Sequence, residues 1–538
     1  MRVRQRERGP GRQRFLRRGV RGLALLLVLA AAFACLGTAA GAGSSARGQG
    51  GSIVGVADDA PKYADDGGAA IYAQLRELGM REVRVVVDFD PSQPKRIQEK
   101  AFLDRSVSKA VAAGIDVVFS VYPHVPRAFA ADTDARVAAF GAYLALLART
   151  YPEVKKFIVL NEPNEGFFFA PQFGGRRNVS AGIAFKALAA GYDRLKAVNR
   201  MITVVGLGLS PDGNGITSTP PVRFIKALGD AYRASGRSRP IMDELAFHIH
   251  PRDSRTFDEK THFKWPNAGP ADLNRIKQAI WDAFHGTAQP VFSEAGGARV
   301  SSPAQPQPLR FKLAEVAVQV RIAESLASQY TSSEDVPVAD EARQAKAYAS
   351  LLRYFACDPA VAEVLFFLLI DQQDLRRFQS GLLRIDGSER PSFASVRDAI
   401  AGLGDCRPRR SWRHTERVVR ARVTFGKKTA FPALQKVLGL SVTTGEDATA
   451  KAGLFRVADR NGPITRKGFA AALDRAPGAG GPVLKDVARV RARFLPRLEV
   501  RGSLTPGSYR FAVRVRATMN PARSSLFVGP VITVGSAS

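Results

Sequence analysis

The stretch Lys156-Phe157-Ile158-Val159-Leu160-Asn161-Glu162-Pro163-Asn164 is an apolar, β-prone run that stops at an amide, a carboxylate and a rigid turn. Such a run without polar alternation fits a strand buried on both faces, as in parallel sheets covered by helices. Working outward, similar short runs occupy residues 52–57, 82–87, 116–121, 203–207, 244–249, 289–293 and 363–370. Amphipathic stretches lie between them, at 69–78, 135–150 and 184–199. Eight β/α alternations over roughly 350 residues predict an α/β fold, a (β/α)8 TIM barrel with insertions. The longest insertion is expected after the seventh strand, at 295–338, with a Pro- and Gln-rich piece at 302–308.

Near Gly404 the pattern changes. Alternating segments at 418–425, 448–457, 490–500, 507–518 and 525–534 are separated by turns such as Leu504-Thr505-Pro506-Gly507-Ser508. They predict a C-terminal all-β, immunoglobulin-like sandwich. The expected division is a signal peptide at 1–42, a linker at 43–50, the barrel at 51–403 and the sandwich at 411–538, with a second linker at 403–411.

The chain has 538 residues, 45% of them apolar, enough for a large core. Its net charge of +30 is uneven. Residues 1–22 hold nine Arg against one Glu, and residues 411–538 hold 23 Lys and Arg against seven Asp and Glu. Arg17, Arg18 and Arg21 precede an apolar run from Leu23 to Leu36 and then Ala40-Gly41-Ala42, the order of a secretory signal. That run is shorter than the ~20 residues a membrane span needs, so a membrane association is expected only if the segment stays uncleaved. The expected location is secreted or cell-envelope associated. Export would leave Cys357 and Cys406 where disulfides persist, and the two could pair. The basic sandwich suggests an anionic envelope polymer as a possible neighbour. No helix-turn-helix, zinc-finger or RNA-binding signature is present, which argues against nucleic acid.

A second carboxylate follows an apolar run in Pro290-Val291-Phe292-Ser293-Glu294-Ala295-Gly296-Gly297. Two carboxyl groups at the C-terminal ends of barrel strands are what retaining glycoside hydrolysis needs, one as acid and one as nucleophile. Each motif alone could equally be an ordinary strand-to-loop junction. Taken together, Asn161-Glu162 ending the fourth strand and Glu294 ending the seventh resemble the retaining glycoside hydrolases of clan A, which include families 5 and 39. The resemblance covers roughly residues 51–403. It implies that Glu162 is the general acid/base, that Glu294 is the nucleophile, and that Asn161 binds the sugar 2-hydroxyl. It matches Arg84 to a second-strand arginine that keeps the nucleophile charged. It also implies a polysaccharide or oligosaccharide substrate, β-linked, and no cofactor.

His248 and His250, in Phe247-His248-Ile249-His250-Pro251, end the sixth strand. His250 stands where the clan has a Tyr touching the nucleophile, and the eighth strand lacks the clan's Trp. The run Phe378-Gln379-Ser380-Gly381-Leu382 resembles the clan's closing loop, and Phe378 could supply the sugar-stacking face. Phe167-Phe168-Phe169 and Trp265 are further aromatic candidates. His124 is a candidate substrate contact at the end of the third strand.

Two other readings accompany this one. The departures at His250 and the eighth strand fit a non-catalytic carbohydrate-binding or envelope scaffold protein on the same barrel. His248-x-His250 alone would fit a metal pair, but no accompanying His, Asp and Glu set is evident in the sequence, and no metal is assigned.

Overall fold

The structure, a computed structural model, describes residues 52–294, 307–405, 412–425, 430–431, 437–457, 466–476, 482, 484–492, 497–501 and 504–535. The expected signal peptide, the first linker and Cys406 lie outside these. Cys357 is disulfide-bonded. Among the described residues no helix is long and apolar enough to cross a membrane.

Eight parallel strands close a barrel: β1 (Ile53–Ala57), β2 (Glu82–Phe89), β3 (Asp116–Pro123), β4 (Lys156–Val159), β5 (Thr203–Leu209), β6 (Glu244–Ile249), β7 (Arg310–Val316) and β8 (Val361–Phe366). They pair in sequence order, and β8 pairs with β1. Helices such as Thr133–Thr150, Ser180–Val198 and Glu341–Ala356 cross between strands. The last of these is capped by Asp340, whose carboxylate accepts from the Arg343 backbone N–H at 2.6 Å.

The barrel interior is layered. Its floor is ionic: Lys312 pairs with Glu82 at 2.5 Å and with Glu363, and Lys156 reaches the same two carboxylates. Burial works against ionising Glu82, yet Lys312 and Lys156 outweigh it and lower its pKa. Above lies an apolar layer of Val118, Ile158, Val205, Ala246 and Ala314. Above that the side chains become polar again, at Arg84, Ser120, His248 and Glu315.

The expected seventh strand is corrected here. Residues 289–293 make one parallel bridge, Phe292 to Leu309, and the barrel position is taken by Arg310–Val316. The sequence Arg310-Phe311-Lys312-Leu313-Ala314-Glu315-Val316 carries three charges and does not read as a buried strand. The ionic floor and the polar mouth accept those charges.

The C-terminal part is a sandwich of a three-stranded and a five-stranded sheet. Leu440, Val442 and Leu498 from the first share one core with Ala450, Leu454, Val513 and Val515 from the second. The segment 490–500 is two strands, Leu484–Val490 and Arg497–Arg501, and Val437–Thr443 is a strand that the alternation did not single out. The Tyr509 hydroxyl donates to the Thr505 carbonyl at 2.7 Å, a corner typical of such sandwiches. Barrel and sandwich belong to one compact unit. They meet on the helix Leu273–Phe284, where buried Arg523 pairs with Asp282 at 3.0 Å and with Glu446 at 2.5 Å.

Candidate active site

At the end of β4 the chain makes two left-handed residues, Leu160 (φ 74°) and Glu162 (φ 41°). In a continued strand, Asn161 and Glu162 would point to opposite faces. The left-handed turns let both project into the barrel mouth, at a backbone cost of about 1–3 kcal/mol each. Asn164 locks the turn. Its amide donates to the carbonyls of Ser210, Asp212 and Thr219 at 3.1–3.3 Å and accepts from the Ser210 N–H at 3.0 Å.

Two contact networks meet in the mouth. Arg84 of β2 donates to Asn161 Oδ1 at 2.7 Å, to Ser120 Oγ at 3.0 Å and to Glu315 Oε1. Glu315 comes from β7 where pairing slips: Phe247 faces Leu313, but His248 faces Glu315. That bulge turns Glu315 toward the same space as the β6 histidines, a known use of bulges. His250 Nε2 lies 3.0 Å from Glu315 Oε2, and His248 Nδ1 lies 2.7 Å from Glu162 Oε1 and 3.5 Å from Glu315 Oε2. One ligand atom from each of Glu162, His248, His250 and Glu315 falls within 4.8 Å of all the others. Gly208 makes room for this packing, because a Cβ there would sit 3.1 Å from His248 Nε2 and 3.5 Å from Asn161 Oδ1.

The two carboxyl groups are tuned apart. Burial, reinforced by the Glu315 charge, pushes the Glu162 pKa up to about 8. Burial alone would raise Glu315 as well, but His248, the Arg84 guanidinium and His250 outweigh it and hold this carboxyl far below the usual range. Burial drives His248 down to about 4, against the Glu315 charge, which raises it. Glu165, three residues after Glu162, is also pushed up to about 8, first by burial and then by Glu162.

The structure thus brings together Glu162, Asn161, Arg84, His248 and His250. It does not bring Glu294 to them. That carboxylate bonds His414, accepting from its backbone N–H at 2.7 Å, and is about one-third exposed. Phe292, two residues earlier, bridges to Leu309, where β7 begins, whereas Glu315 stands where β7 ends. The carboxyl group that the described residues bring beside Glu162 is therefore Glu315 and not the expected Glu294, and sequence reasoning missed it. Its signal was an acidic residue closing a β-prone segment, masked by Arg310 and Lys312.

The remaining candidates divide. Phe378 packs on His250 at 5.3 Å and on Phe367 at 4.9 Å, enclosing the histidine. Gln379 is fully buried and braces its loop by donating to the carbonyls of Gln372 and Asp374, each at 3.0 Å. His124 is exposed, and its ring lies 3.3 Å from the Phe89 carbonyl, apart from the carboxylate pair. Phe169 is core, Phe168 meets Tyr122 edge-on at 5.8 Å, and Phe167 is 60% exposed. Trp265 instead lines a cavity of about 510 Å³ between the helix Leu273–Phe284 and the sandwich.

No family model and no curated protein matches the chain. Among solved structures it is similar to a family 39 glycoside hydrolase from the gut symbiont Bacteroides cellulosilyticus, at 14% identity over 84% of this chain and 80% of that one, with a TM-score of 0.45. It is similar to xylanase 10B from Thermotoga maritima at 11% identity over 66% and 97%, TM-score 0.41. It is similar to the endo-1,4-β-mannanase of Rhizomucor miehei at 13% identity over 66% and 95%, TM-score 0.42.

Proposed function

We propose that this chain is an exported retaining glycoside hydrolase that cleaves a polysaccharide or oligosaccharide, β-linked, by double displacement. The observation that carries the reading is the pair Glu162 and Glu315, two buried carboxyl groups with oxygens within 4.8 Å and opposite tuning. Retaining pairs stand about 5–5.5 Å apart, whereas inverting pairs need roughly 6.5–9.5 Å to admit a water.

Glu315, ionised, attacks the anomeric carbon. The bond to the leaving oxygen breaks as Glu162 delivers its proton there. The glycosyl ester on Glu315 is then hydrolysed by a water whose proton returns to Glu162, releasing the Glu315 carboxylate. Arg84 and His250 hold Glu315 charged and oriented. His250 takes the place of the tyrosine expected from the resemblance, with a ring nitrogen contacting the carboxylate. Asn161, held by Arg84, is placed to bind the sugar hydroxyl next to the reacting carbon. Export rests on the charged, then apolar, then small-residue order of the first 42 residues.

The test is a panel of aryl β-glycosides and β-glucan, mannan, xylan and acidic exopolysaccharides, with Glu315→Ala as the control. Turnover lost in the variant, and restored by azide as a glycosyl azide of inverted configuration, is the expected result. Wild-type turnover by Glu315→Ala would contradict the assignment.

A further inference from the structure

We propose that Glu162, His248, His250 and Glu315 also form a site for one divalent transition-metal ion, zinc foremost, whose binding shuts the hydrolase off. The inhibitory consequence rests on the function proposed above; the binding itself rests on geometry. The sequence placed the two histidines together. The fold supplies the two carboxylates, from β4 and β7, that a metal set needs.

The donors converge. Arg84 occupies Glu315 Oε1 and leaves Oε2 turned toward His250 Nε2 at 3.0 Å and His248 Nδ1 at 3.5 Å. Glu162 Oε1 joins from the other side, 2.7 Å from His248 Nδ1. Two imidazoles and two carboxylates suit zinc and its neighbours, whereas calcium takes six to eight oxygens and magnesium keeps several waters. Donors held about 2.0–2.2 Å from a tetrahedral ion lie roughly 3.5 Å apart, so the contacts at 2.7 and 3.0 Å must open by about 0.5–0.8 Å while the wider pairs, none beyond 4.8 Å, close. Among the described residues the far-side nitrogens, His248 Nε2 and His250 Nδ1, have no hydrogen-bond partner, so no hydrogen bond on that side opposes the move.

Occupancy is incompatible with turnover. Coordination replaces the Glu162 proton, which leaves to solvent, and consumes the Glu315 Oε2 lone pair. Acid and nucleophile are lost in one event, and the ion sits where the anomeric carbon must go.

The experiment strips the full chain with a chelator and titrates it with zinc chloride by calorimetry, then with cobalt(II) by visible absorption. One ion per chain is expected, with the absorption bands of four-coordinate cobalt. Affinity should fall by about tenfold or more in His250→Phe and in the isosteric Glu162→Gln, each checked for folding by thermal melting. Zinc should inhibit aryl-glycoside hydrolysis competitively, and chelator should restore it. No stoichiometric binding would overturn the proposal. So would affinity unchanged in both variants, which would put the ion elsewhere, as at His414 with Glu294 and Glu416. A chain inactive with and without zinc would sink the hydrolase reading while calorimetry still decides the site. Activity appearing only with zinc would overturn both the inhibitory role and double displacement.

Discussion

At Glu162, burial and the neighbouring Glu315 charge act in the same direction and keep the acid protonated to a pKa of about 8. At Glu315 the same burial is outweighed by His248, Arg84 and His250, and the group stays ionised. Pairs whose surroundings push their pKa values apart divide the acid and nucleophile roles. The rate, kcat/KM, should therefore fall as pH rises through about 8, when Glu162 loses its proton, and Glu162→Gln should lack that limb and lose about 10²–10⁴-fold in rate on poor leaving groups. Stability should show the same group. Unfolded, Glu162 loses its proton near the ordinary 4.5; folded, near 8. Between those values the folded chain binds more protons, so stability falls as pH rises across the window and levels off above it. Urea melts of Glu162→Gln should lack that share of the slope. Arg84→Met strips Glu315, Asn161 and Ser120 of one shared donor. It should cost about 3–5 kcal/mol of stability by leaving Glu315 buried with less compensation, read from denaturant melts, together with most of the activity.

At the scale of elements, the barrel was legible wherever interior layers are apolar. Seven of its strands overlap the apolar runs read from the sequence, β4 with its Asn161-Glu162 ending among them. The eighth, β7, was not. Buried parallel strands are expected to be nearly continuous apolar runs, and Lys312 and Glu315 break that pattern. Lys312 is fully buried because Glu82 and Glu363 neutralise it, and those partners lie 230 and 51 positions away in the chain. Nothing local announces such pairing, so the apolar run at 289–293 attracted the assignment. Glu315, half of the proposed catalytic pair, was missed for the same reason that its strand was. Lys312→Met should therefore cost about 3–5 kcal/mol, because it leaves two buried carboxylates to share Lys156 alone, and denaturant melts of a Lys312→Met chain would measure it. Gly208 belongs to this scale too. Its φ of 51° and its place against His248 make Gly208→Ala strained. The expected outcome is a loss of stability with a drop in kcat, measured beside Gly286→Ala, which shares a left-handed φ of 72° but has no atom within 4 Å and so isolates the share due to packing.

For the whole molecule, the sandwich is fixed to the barrel by charge as well as by contact. Arg523, almost fully buried, bridges Asp282 on the barrel helix and Glu446 on the sandwich, and Asn520 adds a bond to Asp282 at 3.1 Å. The interface sits on the helix that precedes β7, away from the Glu162 and Glu315 pair. Arg523→Met should lower stability by about 3–5 kcal/mol yet leave kcat/KM on small aryl glycosides within about twofold at temperatures below unfolding. A large kinetic loss at full folding would mean that the sandwich acts on the site.

The central claim is that Glu315, not Glu294, forms the covalent bond to sugar. The direct measurement is trapping with activated 2-deoxy-2-fluoroglycosides of the sugar found active in the panel, followed by proteolysis and mass spectrometry of the labelled peptide. A glycosyl adduct on Glu315, absent in Glu315→Gln and unaffected by Glu294→Gln, is the expected result. An adduct on Glu294, or steady turnover of the fluoroglycoside by Glu315→Gln, would contradict it.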